Sequence, residues 1–225
     1  MTRLIEGGKV LAVDPQTILG WMRRLLALDT SVFDDVRGNP TATIPAVIVV
    51  SIAVLLMGLG GWFWWMVEGF GDSGTIFVKS ALIGSALSIA VWHVGWLLIV
   101  YLLLTQFFRE RVFLEQLLRV MGVAMAPLAL GILLWVPEVS LAIGLASLAL
   151  AFGLSTIAIQ RVTTADAARV LVANLAGFFV WATVMTLFVS DTSQLAPGVF
   201  LYDAPATVGK AYFDQINQLK DIVNQ

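Results

Sequence analysis

Five windows of this chain, 45–67, 80–107, 120–136, 139–159 and 170–189, contain no Asp, Glu, Lys or Arg. Each is close to or longer than the ~17–25 apolar residues that carry an α-helix across ~30 Å of hydrocarbon. In hydrocarbon every backbone N–H and C=O must bond within the protein, and an uninterrupted apolar run does so by closing helical hydrogen bonds on itself. The pattern therefore predicts an all-α polytopic membrane protein with five transmembrane helices. Its 13 basic and 15 acidic residues amount to 12% of 225, about half the charge of a soluble globular chain. All of them lie in the connecting segments and the two ends.

Charge also sets an expected orientation, because Lys and Arg in short loops stay on the cytoplasmic side. Ten fall on the side of the N-terminus (Arg3, Lys9, Arg23, Arg24, Arg37, Arg109, Arg111, Arg119, Arg161, Arg169) and three on the other (Lys79, Lys210, Lys220). The expectation is a cytoplasmic N-terminus and an extracytoplasmic C-terminus. The first fifteen residues lack a continuous apolar core of ~7–15 residues, so no cleaved secretory signal is expected. A net charge of −2 without a basic run gives no footprint for nucleic acid. With no cysteine, thiolate chemistry and disulfides are excluded.

Three regions follow: a cytoplasmic N-terminal segment (1–42), a five-helix membrane domain (43–189) and an extracytoplasmic tail (190–225). Within the first, QTILGWMRRLLALD (16–29) sets Ile18, Met22, Leu25 and Leu26 at helical spacing beside Arg23 and Arg24, the pattern of an interfacial amphipathic helix. Span one ends in WFWWMV, where Trp62, Trp64 and Trp65 are expected at the headgroup level. Glu115 and Arg119 lie four residues apart ahead of span three and can neutralise one another. Spans three and four are joined through Pro137 and Glu138 as a tight hairpin, and Thr164 or Asp166 offers a cap for span five. In the tail, Val208, Tyr212, Ile216, Leu219 and Val223 repeat at a near-helical period and predict a second amphipathic helix.

Few residues carry chemistry. His93 is the single histidine and falls midway along the second window. An intramembrane ionisable group is a functional candidate. It reads either as a structural imidazole bonded to another helix, for example through Ser147, or as an axial ligand to haem or a chlorophyll-type pigment. Small residues recur at four-residue spacing, as Ala142 and Ala146, Ala149 and Gly153, and Ala173 and Gly177, with Gly58, Gly60 and Gly61 in span one. Such spacing lets helices approach closely, inside the bundle or at a seam with a partner or a second copy. Pro127 is expected to kink span three and Asn174 to bridge helices. The spans offer no charged pathway for ion coupling, and the chain holds no nucleophile motif, phosphate loop or metal-binding pair. No cofactor is expected on this reading.

The stretch LLALDTSVFDDVRGNPTATIPAVIVVSIAVLLMGLGGW (25–62), followed by FLEQLLRVMGVAMAPLALGILLWVP (113–137), resembles the Yip (Ypt-interacting protein) domain family. The likeness lies in the VFDDVRGNP element before span one, the polar re-entry FLEQLLRV, and the small-residue run Gly122, Ala124, Ala126 before Pro127. It covers about residues 25–189. It implies five spans, a cytoplasmic N-terminus and no catalysis. The chain lacks the DLYGP-type element and long N-terminal domain of the eukaryotic relatives that contact small GTPases, and so looks like the bacterial branch. The expected function is a non-catalytic scaffold or accessory protein whose partners are the lipid bilayer and other membrane proteins or its own copies. The alternatives are a pigment- or haem-associated subunit of a redox or photosynthetic complex, and a small transporter or lipid-handling protein.

Overall fold

The computed structural model describes residues 15–68, 74, 77–136 and 139–189. The Pro137–Glu138 turn and the predicted tail helix lie outside them. Two short helices open the described chain, α1 (Pro15–Leu26) and α2 (Val32–Gly38). Five membrane-length segments follow: α3 (Thr43–Glu68), α4 (77–107), α5 (Leu114–Ala124) with its continuation over Ala126–Trp135, α6 (Ser140–Gln160) and α7 (Ala167–Val189). All five are long and apolar enough to span a bilayer, and no strand occurs among the described residues. The protein is an integral membrane protein of the all-α class.

Local chemistry sets the starts and stops. Asn39 is extended, and its side chain accepts the Thr41 N–H at 3.0 Å, capping the turn that leads into α3. Pro40 follows at a position where its missing N–H costs nothing. Of the two candidate caps for α7, Asp166 takes the role, accepting the Arg169 N–H at 2.8 Å. α1 ends in a Schellman motif, with Asp29 N–H donating to the Arg24 carbonyl and Leu28 N–H to that of Leu25. Leu28 occupies the left-handed position at φ 58°, which glycine usually fills.

α3 packs along Ala126–Trp135 and against α4; α6 packs on α5 and its continuation; α7 lies between α6 and α4 and closes the ring. Close approach is built from glycine. A Cβ at Gly60 would lie 1.8 Å from the Gly131 carbonyl oxygen, and one at Gly131 would lie 2.9 Å from Met57 Cα, so α3 and the 126–135 segment meet backbone to backbone. Gly122 of the GVAMAP run meets the Ala46 carbonyl in the same way.

Three features depart from the sequence expectation. Span three begins at Leu114, ahead of its charge-free window, because Arg119 is buried and paired within the bundle. Pro127 changes the winding: from Ala126 the chain runs as a ten-residue 3-10 helix, narrower than the α-helix it continues. Trp64, expected among headgroups, has its ring turned into the bundle core at 1% exposure, while Trp62, half-buried, packs edge-on against Phe77 of α4 at 4.9 Å.

Candidate functional site

Asn174 is fully buried on α7 and ties three helices together. Its Oδ1 accepts the indole N–H of Trp96 on α4 at 2.8 Å. Its amide nitrogen faces Thr156 Oγ1 at 2.8 Å, Ser155 Oγ at 2.9 Å and the Phe152 carbonyl at 3.2 Å, all on α6. Both α6 hydroxyls in turn donate to the Phe152 carbonyl, so none of these polar side chains is left without a partner inside the bundle. α4 winds with wide i→i+5 turns over Trp92–Leu97, the stretch that carries Trp96. The Trp96 ring lies over Gly177, where a Cβ would come within 2.7 Å of it. It also packs against Phe178 at 5.1 Å and Trp181 at 5.8 Å. Asn174 thus bridges helices as its position implied, but its partner Trp96 had no distinguishing mark in the sequence. The one available signal was the scarcity of polar side chains inside the windows, which obliges those present to find each other.

A second constellation closes the end of the bundle where α3, α5 and α7 begin and α4 and α6 end. Phe33, Val32 and Val36 of α2 are fully buried, and around them Arg161 donates to Asp34 at 3.0 Å and Arg37 donates to the Arg161 carbonyl. Arg24 pairs with Asp29 at 2.9 Å and also with Asp35. The Ser31 hydroxyl and the Arg24 guanidinium hold the Asp29 carboxyl at about 2, below the ordinary carboxylate value of 3.8, because both donate to its charged form. The same pairing, led by Asp35, raises Arg24. Glu110 accepts from Thr164 at 2.9 Å and pairs with Arg169 at 3.3 Å. Arg119, 6% exposed, bonds Thr43 Oγ1 at 2.7 Å and the expected Glu115 at 3.0 Å. The VFDDVRGNP element is therefore a clasp: its apolar side plugs the bundle and its charged side binds the loop between α6 and α7.

The other candidates are dispersed. His93, half-buried, does not bond Ser147. Its Nδ1 faces the carbonyl of Ile89 on its own helix at 2.8 Å, and Ser147 donates to the Gly144 carbonyl. A carbonyl only accepts, so Nδ1 carries a proton and Nε2 is the nitrogen left for any ligand. Gly58, Gly61, Ala173 and Gly177 are buried within the bundle. Ala142, Ala146, Ala149 and Gly153 are exposed along one face of α6, and a Cβ at Gly153 meets nothing within 4 Å. Among the described residues that face is open, which on α6 favours the seam over packing inside the bundle; α6 buries Ser140, Gly144, Ser147, Ala151 and Ser155 instead. Pro127 is half-buried near the start of the 3-10 run. The indole N–H groups of Trp92 and Trp181 are buried without a hydrogen-bond partner among the described residues.

Among the described residues no group of three His, Asp or Glu side chains is placed to hold a metal ion. No protein-family model, curated protein or solved structure matches the chain. The likeness to the Yip family rests on the residues quoted for it.

Proposed function

We propose that the protein is a non-catalytic, Yip-like scaffold or accessory protein of a bacterial cytoplasmic membrane, with its N-terminus in the cytoplasm, acting through contacts of its helix faces. One observation carries this reading: α6 presents Ala142, Ala146, Ala149 and Gly153 outward while the glycines of α3, α7 and the 126–135 segment are consumed inside. Small residues on a lipid-facing surface allow the close backbone approach by which membrane helices associate. Asn174, Ser147, Ser155 and Arg119 spend their polar atoms on bonds within the bundle, and among the described residues no set of donors, acids and bases converges, which favours contact over catalysis. The test is copurification and crosslinking from native membranes. Gly153→Leu and Ala146→Leu should release the associated chain without lowering thermal stability, and retention of the same complexes by both variants would count against the proposal.

His93 supports a second reading as a pigment- or haem-associated subunit, since an imidazole held through Nδ1 presents Nε2 in a fixed direction. A coloured preparation that bleaches on His93→Ala would favour it, and a colourless one would remove it.

A further inference from the structure

A cavity of about 450 Å³ lies between α1, the 126–135 segment and α6, within the ~300–1,000 Å³ of small-molecule sites. Every side chain around it is apolar: Met22 and Leu26 from α1, Ala129 and Leu133 from the 3-10 run, Leu150 and Leu154 from α6. One wall is the 3-10 run that begins beside Pro127, a slimmer helix than the α-helix it continues. At a rise of ~2.0 Å per residue, the wall from Ala126 to Leu133 is about 14 Å long. Half of a ~30 Å hydrocarbon core is about 15 Å. That wall is thus about as long as the acyl region of one leaflet.

We propose that this cavity holds one acyl chain of an anionic glycerophospholipid from the leaflet that contains α1. Three observations select that occupant. Exposed apolar side chains border the cavity on each wall, Leu26 at 81%, Leu133 at 44% and Leu150 at 45%, so its open side continues the surface that faces lipid. α1 forms one wall and leads directly into the charged Asp29–Arg37 stretch, a polar setting for a headgroup. Arg23, beside Met22 and three residues before Leu26, is exposed on the flank of α1 and forms no ion pair with a described residue, whereas its neighbour Arg24 is committed to Asp29 and Asp35. A guanidinium at that level attracts a phosphate. Leu28 extends the apolar rim from a left-handed backbone position, 73% exposed to whatever fills the mouth.

The test uses the full-length protein in nanodiscs of phosphatidylglycerol and phosphatidylcholine, released into native mass spectrometry. The wild type should retain one phospholipid, enriched in phosphatidylglycerol. Ala129→Trp, which fills the cavity, should lose it at unchanged thermal stability, and Arg23→Gln should keep a bound lipid but lower the preference for phosphatidylglycerol by about fivefold. In parallel, phosphatidylglycerol carrying a diazirine in its acyl chain should label the 126–135 segment above the rest of the wild-type chain, a readout that stands even if Ala129→Trp fails to fold. Equal lipid retention by wild type and a folded Ala129→Trp, labelling spread evenly over all spans, or a lipid-free dimer in which the cavity is shielded by a second copy would each overturn the proposal.

Discussion

Phenylalanine substitution at two neighbouring tryptophans separates the energy of the Asn174 tie from that of packing. Trp96 and Trp181 are 1% and 5% exposed, and their rings lie 5.8 Å apart in one aromatic cluster. Trp→Phe deletes the same atoms at both, so the packing loss is closely shared. Only Trp96 donates a bond, 2.8 Å to Asn174 Oδ1, and its loss strands a buried acceptor, a cost of about 1–3 kcal/mol in soluble proteins and of ~0.6 to ~1.7 kcal/mol per bond in membrane bundles. The Trp181 N–H has no partner, so deleting it relieves an unsatisfied donor. Trp96→Phe should therefore destabilise by about 1–2 kcal/mol more than Trp181→Phe. In an Asn174→Leu background that excess should vanish, because the acceptor is already gone. The assay is reversible unfolding in mixed micelles with SDS as denaturant. An equal cost at the two tryptophans, or strict additivity of Trp96→Phe with Asn174→Leu, would refute the assignment of the bond as the tie between α4 and α7.

Gly60→Ala should destabilise by more than about 3 kcal/mol, since its Cβ has the Gly131 carbonyl 1.8 Å away with backbone on both sides, whereas Gly153→Ala should stay within ~0.5 kcal/mol of wild type; thermal unfolding in detergent distinguishes them. Arg119→Ala, which strips partners from Thr43 and Glu115 at a buried position, should cost about 1–3 kcal/mol, against about 0–1 kcal/mol for Arg161→Ala at the half-exposed Asp34 pair, measured by the same unfolding. The Asp29 carboxyl is depressed on folding, so the stability it contributes is complete above about 3.8 and is lost as pH falls towards about 2. Hydrogen exchange at α1 amides should quicken across that window in the wild type, and Asp29→Asn should flatten the dependence.

The charge-free windows made the spans legible, because charge is excluded from hydrocarbon wherever it lacks a partner. The same rule misplaced the start of span three, where Arg119 is admitted once Glu115 and Thr43 receive it. Which face of a span turns inward was not legible. Lipid and protein core are equally apolar, so Leu145 can point outward and Leu148 inward with nothing in the sequence to separate them, and Trp64 was read as an interfacial ring when it faces the core. Asn174 announced itself as the one amide side chain of its window, but its partners come from two other helices and depend on the wide turns of α4. The clasp was half-visible: VFDDVRGNP was conspicuous as a polar insertion, while its acceptor loop lies more than a hundred residues later. The cavity was hidden entirely, since Pro127 predicts a kink and not the ten-residue 3-10 run that forms one of its walls.

That separation has a temporal meaning. The Asp34–Arg161 bridge joins residues 127 positions apart, and at ~5–20 residues per second a ribosome needs about 6–25 s to deliver the second after the first. For all of that interval α2 lacks its Arg161 partner, while four spans enter the membrane in turn. The bridge forms only when the loop before the last span has emerged, so its closure reports that the preceding insertions have succeeded, and a chain stalled or inverted at any of them would display an open N-terminal segment to the quality-control proteases of its membrane.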